Sequence, residues 1–349
     1  MSGHFFGVQI FGAGTPGTPS TLTNHGEIRE PTGADFGGGI ELIQSHRLAT
    51  LVNHNLIQGR GIRNTLANHA VVVSDFISGV GSEIDVFTNA GTVTAIDGGN
   101  GVYVAQENSR INTLDNEIGA VISAVNTGSG VVTEGRIGAL TNRGIISGAV
   151  SGIGVQDFDD YDYGLQPSGR IDTLINLGTI SGGVFDIDAV ERDLAVDLAP
   201  IGTLINAQAD LTYRGTLPET YQIIITSTTQ YGSLDAVPAP SLMDFDISAD
   251  DSVVTPNFLY TGVLKGIGAS LLGQTSGVTD GVSWTLLTSD GNSWDLCTGV
   301  VSGGQCQVQQ GSSAEPIPVP IGKPGWLLLL LGLLGVIGLR NLGRQPEGH

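Results

Sequence analysis

The sequence predicts an all-β chain built as a parallel β-helix, a solenoid, with a small β cap and a C-terminal transmembrane helix. Three observations lead there. The first is a recurring phrase, clearest over residues 170–183, whose core reads Ile-x-Thr-Leu-x-Asn-x-Gly-x-Ile-Ser-Gly. It describes two short apolar strands hinged at an Asn and a Gly, with no helical spacing. The second is composition: 53 of 349 residues are Gly, only 14% are charged, and Thr, Ser, Asn, Ile, Val and Leu abound. That is the vocabulary of short strands and tight turns. The third is an apolar run close to the C-terminus, preceded by prolines and followed by arginines.

Residues 1–20 form an N-terminal segment without a basic region, a long apolar stretch or a small-residue cleavage site. Read as it stands it is no secretory signal; the expectation is a truncated beginning of a longer export product. Gly12-Ala-Gly-Thr-Pro-Gly17 has dinucleotide-loop spacing, but Pro16 and Pro19 stand where a helix would have to begin, so it reads as a loop.

Residues 21–215 carry the repeats. Thr-Leu-x-Asn or a close variant ends at Asn24, Asn53, Asn68, Asn89, Asn116, Asn142, Asn176 and Asn206, at intervals of 29, 15, 21, 27, 26, 34 and 30 residues. Each interval reads as one coil, with length variation absorbed in loops. An apolar residue stands five before the Asn at Leu48, Ile84, Ile111, Ile137, Ile171 and Ile201. Neither strand of a phrase can bury its apolar face alone, so stacked neighbours must supply the core. The Asn is expected at a bend, tolerating left-handed geometry while its amide bonds to the Asn above and below. The Gly two residues on is expected to permit a tight turn.

These phrases resemble those of the right-handed β-helical passengers of bacterial adhesin-type and autotransporter-like surface proteins, over roughly residues 20–210. The resemblance implies an extended, surface-exposed scaffold and carries no catalytic residue with it. Residues 216–311 lack the Asn phrase and read as a terminal β cap. Its strands surround Phe258, Trp284 and Trp294, with Asp290-Gly291 as a hairpin turn. Cys297 and Cys306 flank a turn-rich spacer. They are a local disulfide in an oxidising compartment and two free thiols otherwise.

Residues 312–324 are a Pro-rich linker, 325–339 an unbroken apolar run with five consecutive leucines, and 340–349 a basic tail. At 1.5 Å per residue the run covers about 22 Å, a short anchor for a hydrocarbon core of roughly 30 Å. Arg340 and Arg344 would hold the end in the cytoplasm and leave the body outside. Linker, short apolar helix and basic end are similar to the C-terminal sorting signals of Gram-negative bacteria, of the PEP-CTERM and IPTL-CTERM type. Ile317, Pro318 and Trp326 carry the match, while Val319-Pro320 stands where Thr-Leu is the pattern. The resemblance implies an exosortase-like membrane enzyme as partner. It also implies passage through the inner membrane to the envelope, the outer surface or the medium.

The net charge of −20 with two lysines excludes nucleic acid as an expected partner. Asp157, Asp159, Asp160 and Asp162 fall in the longest interval between repeats and read as a protruding loop. Clustered carboxylates suit Ca²⁺, though an EF-hand's Gly and terminal Glu are missing. Asp186, Asp188, Glu191, Asp193 and Asp197 continue the acidic character without forming one site. His25, His54 and His69 each follow a repeat Asn and are candidates for a column of imidazoles suited to Zn²⁺ or Cu²⁺. No Ser-His-Asp set or phosphate loop is present. The sequence therefore points to a non-catalytic adhesin or matrix protein without a resident cofactor, binding cell-surface glycans or matrix through a rigid repetitive face and its loops. A polysaccharide lyase or hydrolase on the same scaffold is the alternative.

Overall fold

Alternation within the phrase decides which side chains meet. In Arg110–Asn116 the buried positions are Ile111, Leu114 and Asn116, and the residues between them face outward. The next phrase, Arg136–Asn142, lies parallel and in register, pairing Ile111 with Ile137, Leu114 with Leu140 and Asn116 with Asn142. Like stacks on like, and a continuous apolar column forms that no single coil could bury.

The computed structural model describes residues 5–10, 20–29, 36–42, 47–61, 69–74, 81–106, 108–156, 169–190 and 200–308. They are all-β, stacked as parallel sheets in the manner of a β-helix. Ten ladder strands make one sheet, from Thr21–Asn24 through Arg170–Asn176 to Leu272–Gln274.

A typical coil has three strands where the phrase predicts two. After Arg110–Asn116 come Val121–Ala124 and Val131–Thr133, and after Arg136–Asn142 come Ile145–Gly148 and Ser151–Val155. The third strands stack on one another from Phe5–Ile10 to Leu259–Lys265. The second strands end at Thr179–Gly182, where the side chain of Gln208 takes over the work of a neighbouring strand. Its Oε1 accepts from the Ile180 amide at 2.8 Å and its Nε2 donates to the Ile180 carbonyl at 2.9 Å. The later coils run directly from a ladder strand to a third strand.

The stack also continues beyond residue 215, where the sequence reading begins its cap. Thr220–Ile223 and Met243–Ile247 extend the ladder sheet in parallel, with Tyr221 and Phe245 where earlier coils have leucine. Ser276–Thr279, Val282–Thr288 and Trp294–Cys297 then turn antiparallel, the last of these closing onto Leu259–Lys265, and a short antiparallel pair, Val301–Ser302 with Gln305–Cys306, follows. Trp284 meets Phe245 edge-on at 5.4 Å, and the Trp294 indole donates to the Ile267 carbonyl at 2.8 Å. The cap is thus a three-stranded lid over a solenoid that outlasts its own repeat. The predicted hairpin stands, with Gly291 at φ +79° in the connection between Val282–Thr288 and Trp294–Cys297. Cys297 and Cys306 are disulfide-bonded, with Cα atoms 5.6 Å apart.

Asn68 is not a rung between its neighbours, because Arg47–Asn53 pairs directly with Glu83–Asn89 and Asn53 meets Asn89. Residue 68 itself lies outside the described residues, as do 157–168 and everything after 308. Among the described residues no helix is long and apolar enough to cross a membrane. The expected span at 325–339 and the motif residues Ile317, Pro318, Trp326, Arg340 and Arg344 fall outside them.

Candidate functional site

Each corner of the coil carries its own chemistry, and the first belongs to the asparagines. Nδ2 of Asn24, Asn53, Asn89, Asn116, Asn142 and Asn176 donates to Oδ1 of the next Asn in the series at 2.8–3.1 Å. In the first five the second amide hydrogen goes to a backbone carbonyl at the start of a strand, as from Asn116 to Ile145 at 3.1 Å, and in Asn176 it goes to Oε1 of Gln208 at 3.0 Å. From Asn53 to Asn206 these side chains have no exposure at all. No capacity is left for a ligand, so the ladder holds register.

None of these asparagines takes the expected left-handed backbone; each ends an extended strand. The glycines two residues on also have ordinary φ, and at Gly91, Gly144 and Gly178, though not at Gly26, crowding is what requires them. A Cβ on Gly144 would lie 2.2 Å from the Ala120 carbonyl oxygen, and one on Gly178 equally close to that of Gly144.

The second corner holds a ladder that the sequence reading misses. His69, Asn100, Ser129 and Ser151 stand two residues before Val71, Val102, Val131 and Ile153, which pair in register, so they occupy one column. The Asn100 amide donates to Nδ1 of His69 at 2.8 Å, the Ser129 amide to Oδ1 of Asn100 at 2.9 Å, and the Ser129 and Ser151 hydroxyls meet at 2.8 Å. His69 is therefore a core residue. Burial pushes its pKa down to about 3 and holds the ring neutral. The expected three-histidine column shrinks to His25 and His54, whose exposed rings stack at 4.7 Å. The signal was the small residue following each member, Ala70, Gly101, Gly130 and Gly152, ahead of a β-branched position.

The third corner is where long connections leave the stack. The chain departs at Gln156 and returns at Gly169, whose amide donates to the Gln156 carbonyl at 3.0 Å. The intervening segment, with Asp157, Asp159, Asp160 and Asp162, is thus pinched at its base. The four aspartates lie outside the described residues. Other connections leave the same corner at Ser74 and Val190 and return at Gly81 and Pro200. Beside these necks, Glu134 and Tyr103 pair through the phenol, which donates to Oε2 at 2.7 Å. Burial pushes the Glu134 carboxyl upward against the pull of its Tyr103 and Gln106 bonds, and burial next to Glu134 pushes the Tyr103 phenol upward. A half-buried carboxyl, pushed upward by burial and paired with a phenol, thus stands at a cluster of loop bases.

Of the other acidic candidates, Glu191, Asp193 and Asp197 lie outside the described residues, and Asp186 and Asp188 are engaged in structure. Asp186 accepts from the amides of Gly182 and Thr212, at 3.0 and 2.8 Å. Asp188 forms a two-pronged pair with Arg214, which also lies over the Phe185 ring at 4.9 Å. Arg170, the cation that follows the acidic segment, is held by Asp172 and Glu219. Among the described residues no three His, Cys, Asp or Glu side chains gather as metal ligands. Comparison of the chain with protein-family models yields no match, and comparison with curated proteins yields none either.

Proposed function

We propose that the chain is a non-catalytic β-helical protein of the bacterial envelope, coiled right-handed, that acts as an adhesin or extracellular-matrix component. It would bind glycans or matrix through the loops of its third corner. One observation carries the reading: coil-to-coil register is maintained by buried polar ladders, while the longer connections, including the pinched acidic one, spring from a common corner. Such a rod holds several loops at fixed spacing, which favours multivalent contact over a single deep site. The tail from residue 312 onward serves, in this reading, as linker, sorting motif and inner-membrane anchor for an exosortase-like enzyme. Asp157, Asp159, Asp160 and Asp162 would, in this reading, bind Ca²⁺.

The polysaccharide-cleaving alternative draws on Glu134, a carboxyl that keeps its proton longer than usual next to a phenol. A single experiment separates the two. Immobilised acidic and neutral glycans and whole cells are probed with the wild type and with a variant whose residues 157–168 are replaced by a short Gly-Ser link. The expected result is binding by the wild type and its loss in the loop variant, with an unchanged far-UV spectrum. Absence of wild-type binding overturns the adhesin reading. Chain cleavage of an acidic polysaccharide that disappears in Glu134→Gln, Asp159→Asn or Asp160→Asn replaces it with the enzyme.

A further inference from the structure

We propose that His25 and His54 form a two-imidazole site for a divalent transition-metal ion, Cu²⁺ above all. Each residue follows a ladder Asn, and Asn24 pairs with Asn53 across adjacent coils, so the two histidines occupy equivalent positions one coil apart. Their rings lie parallel within 7° at a centroid separation of 4.7 Å, and both are exposed. The backbone beneath them is fixed: the His54 amide donates to the Asn24 carbonyl at 2.9 Å, the Leu56 amide to that of Gly26 at 3.3 Å, and the two Asn amides join at 2.8 Å.

Two imidazole nitrogens bound to one ion at about 2.0 Å each can be no more than about 4 Å apart. The rings stand slightly farther apart than that, so tilting them toward each other brings one nitrogen from each to a shared ion without moving the frame. Imidazole suits Cu²⁺, Ni²⁺ and Zn²⁺, and the affinity order for a common site places Cu²⁺ highest. Water completes the coordination on the exposed side. The column supplies no third imidazole, because the next equivalent position is Ala90 and His69 is buried with its Nδ1 engaged by Asn100. A two-ligand site on a rigid, open surface captures labile ions and releases them readily.

The test is a Cu²⁺ titration of the full chain followed by calorimetry and electron paramagnetic resonance, together with His25→Ala, His54→Ala and the double variant. The wild type is expected to take up one more Cu²⁺ per chain than the double variant, with resonance features of two coordinating nitrogens. Each single variant is expected to bind at that site at least tenfold more weakly. Both side chains are exposed, so an unchanged far-UV spectrum is expected in all four proteins. Equal Cu²⁺ uptake by wild type and double variant overturns the proposal, as does a single variant that keeps full affinity.

Discussion

Replacing Asn116 by alanine tests whether the amide ladder stabilises the stack or merely decorates it. The wild-type side chain accepts from Asn89 at 2.9 Å and donates to Asn142 at 2.8 Å and to the Ile145 carbonyl at 3.1 Å. In Asn116→Ala, Oδ1 of Asn142 and the Ile145 carbonyl lose a donor, and Nδ2 of Asn89 keeps only its bond to the Val121 carbonyl. At about 1–3 kcal/mol for each of the three stranded groups, the expected loss is roughly 3–9 kcal/mol. Asn112→Ala, in the same strand but facing outward, is the control. It gives up exposed bonds to Glu83 and Asp85 and should cost below about 1 kcal/mol. Denaturant unfolding measures the size of the effect, and hydrogen exchange locates it, since neighbouring coils carry the damage in a one-dimensional stack. Protection should fall first between residues 83 and 148. Equal destabilisation by Asn116→Ala and Asn112→Ala would refute the reasoning.

Two further predictions concern the second corner. His69 is buried neutral, with its folded pKa of about 3 below the unfolded value of 6.5. Its contribution is therefore complete above pH 6.5 and drains away as the pH falls toward 3, by up to about 1.4 kcal/mol per pH unit. His69→Asn, which puts the Asn100 side-chain type one rung higher, should flatten this acid dependence in unfolding experiments at pH 4–7; an unchanged slope would contradict the assignment. Gly130→Ala would place a Cβ 2.8 Å from the Gly152 carbonyl oxygen and 2.8 Å from Cγ2 of Ile146, so a loss of about 1–3 kcal/mol is expected. Wild-type thermal stability in that variant would show that the corner relaxes freely.

The parts of this fold legible in the sequence are those whose chemistry repeats. Asparagine recurs because an amide is both donor and acceptor, and it can pair with a copy of itself at every rung. That left a phrase to find, and Ile and Leu beside it announced the core. The second corner needs only some polar group of suitable reach, so imidazole, amide and hydroxyl succeed one another at His69, Asn100, Ser129 and Ser151 and no phrase results. The third strands are short and Gly-flanked, too brief at Val131–Thr133 for an alternation to register. Past Asn206 the amide column ends: Asn206 spends its hydrogens on the carbonyls of Gln208 and Ser233 and the Tyr221 hydroxyl. Aromatic packing then stacks the coils, which is why a continuing solenoid reads as a separate cap. Thr65-Leu-Ala-Asn68 misled in the opposite direction: Arg63 stands five before the Asn, where the six rungs from Asn53 to Asn206 carry Leu or Ile. The Tyr103–Glu134 pair was invisible because its members are 31 residues apart and meet only through the coil spacing.

The direction of the amide ladder has a consequence for how such a molecule changes length. Each internal rung, from Asn53 to Asn176, gives one hydrogen forward and takes one from behind, so any two of them are interchangeable as neighbours. Excising a whole coil between internal rungs, or duplicating one, brings a new pair of asparagines together with the same polarity and leaves no rung of this ladder without its Asn partner. Register is strictly specified while coil number is left free. A lineage of such chains can therefore lengthen or shorten by unequal exchange between repeats, carrying its loops to new heights along the rod with each event.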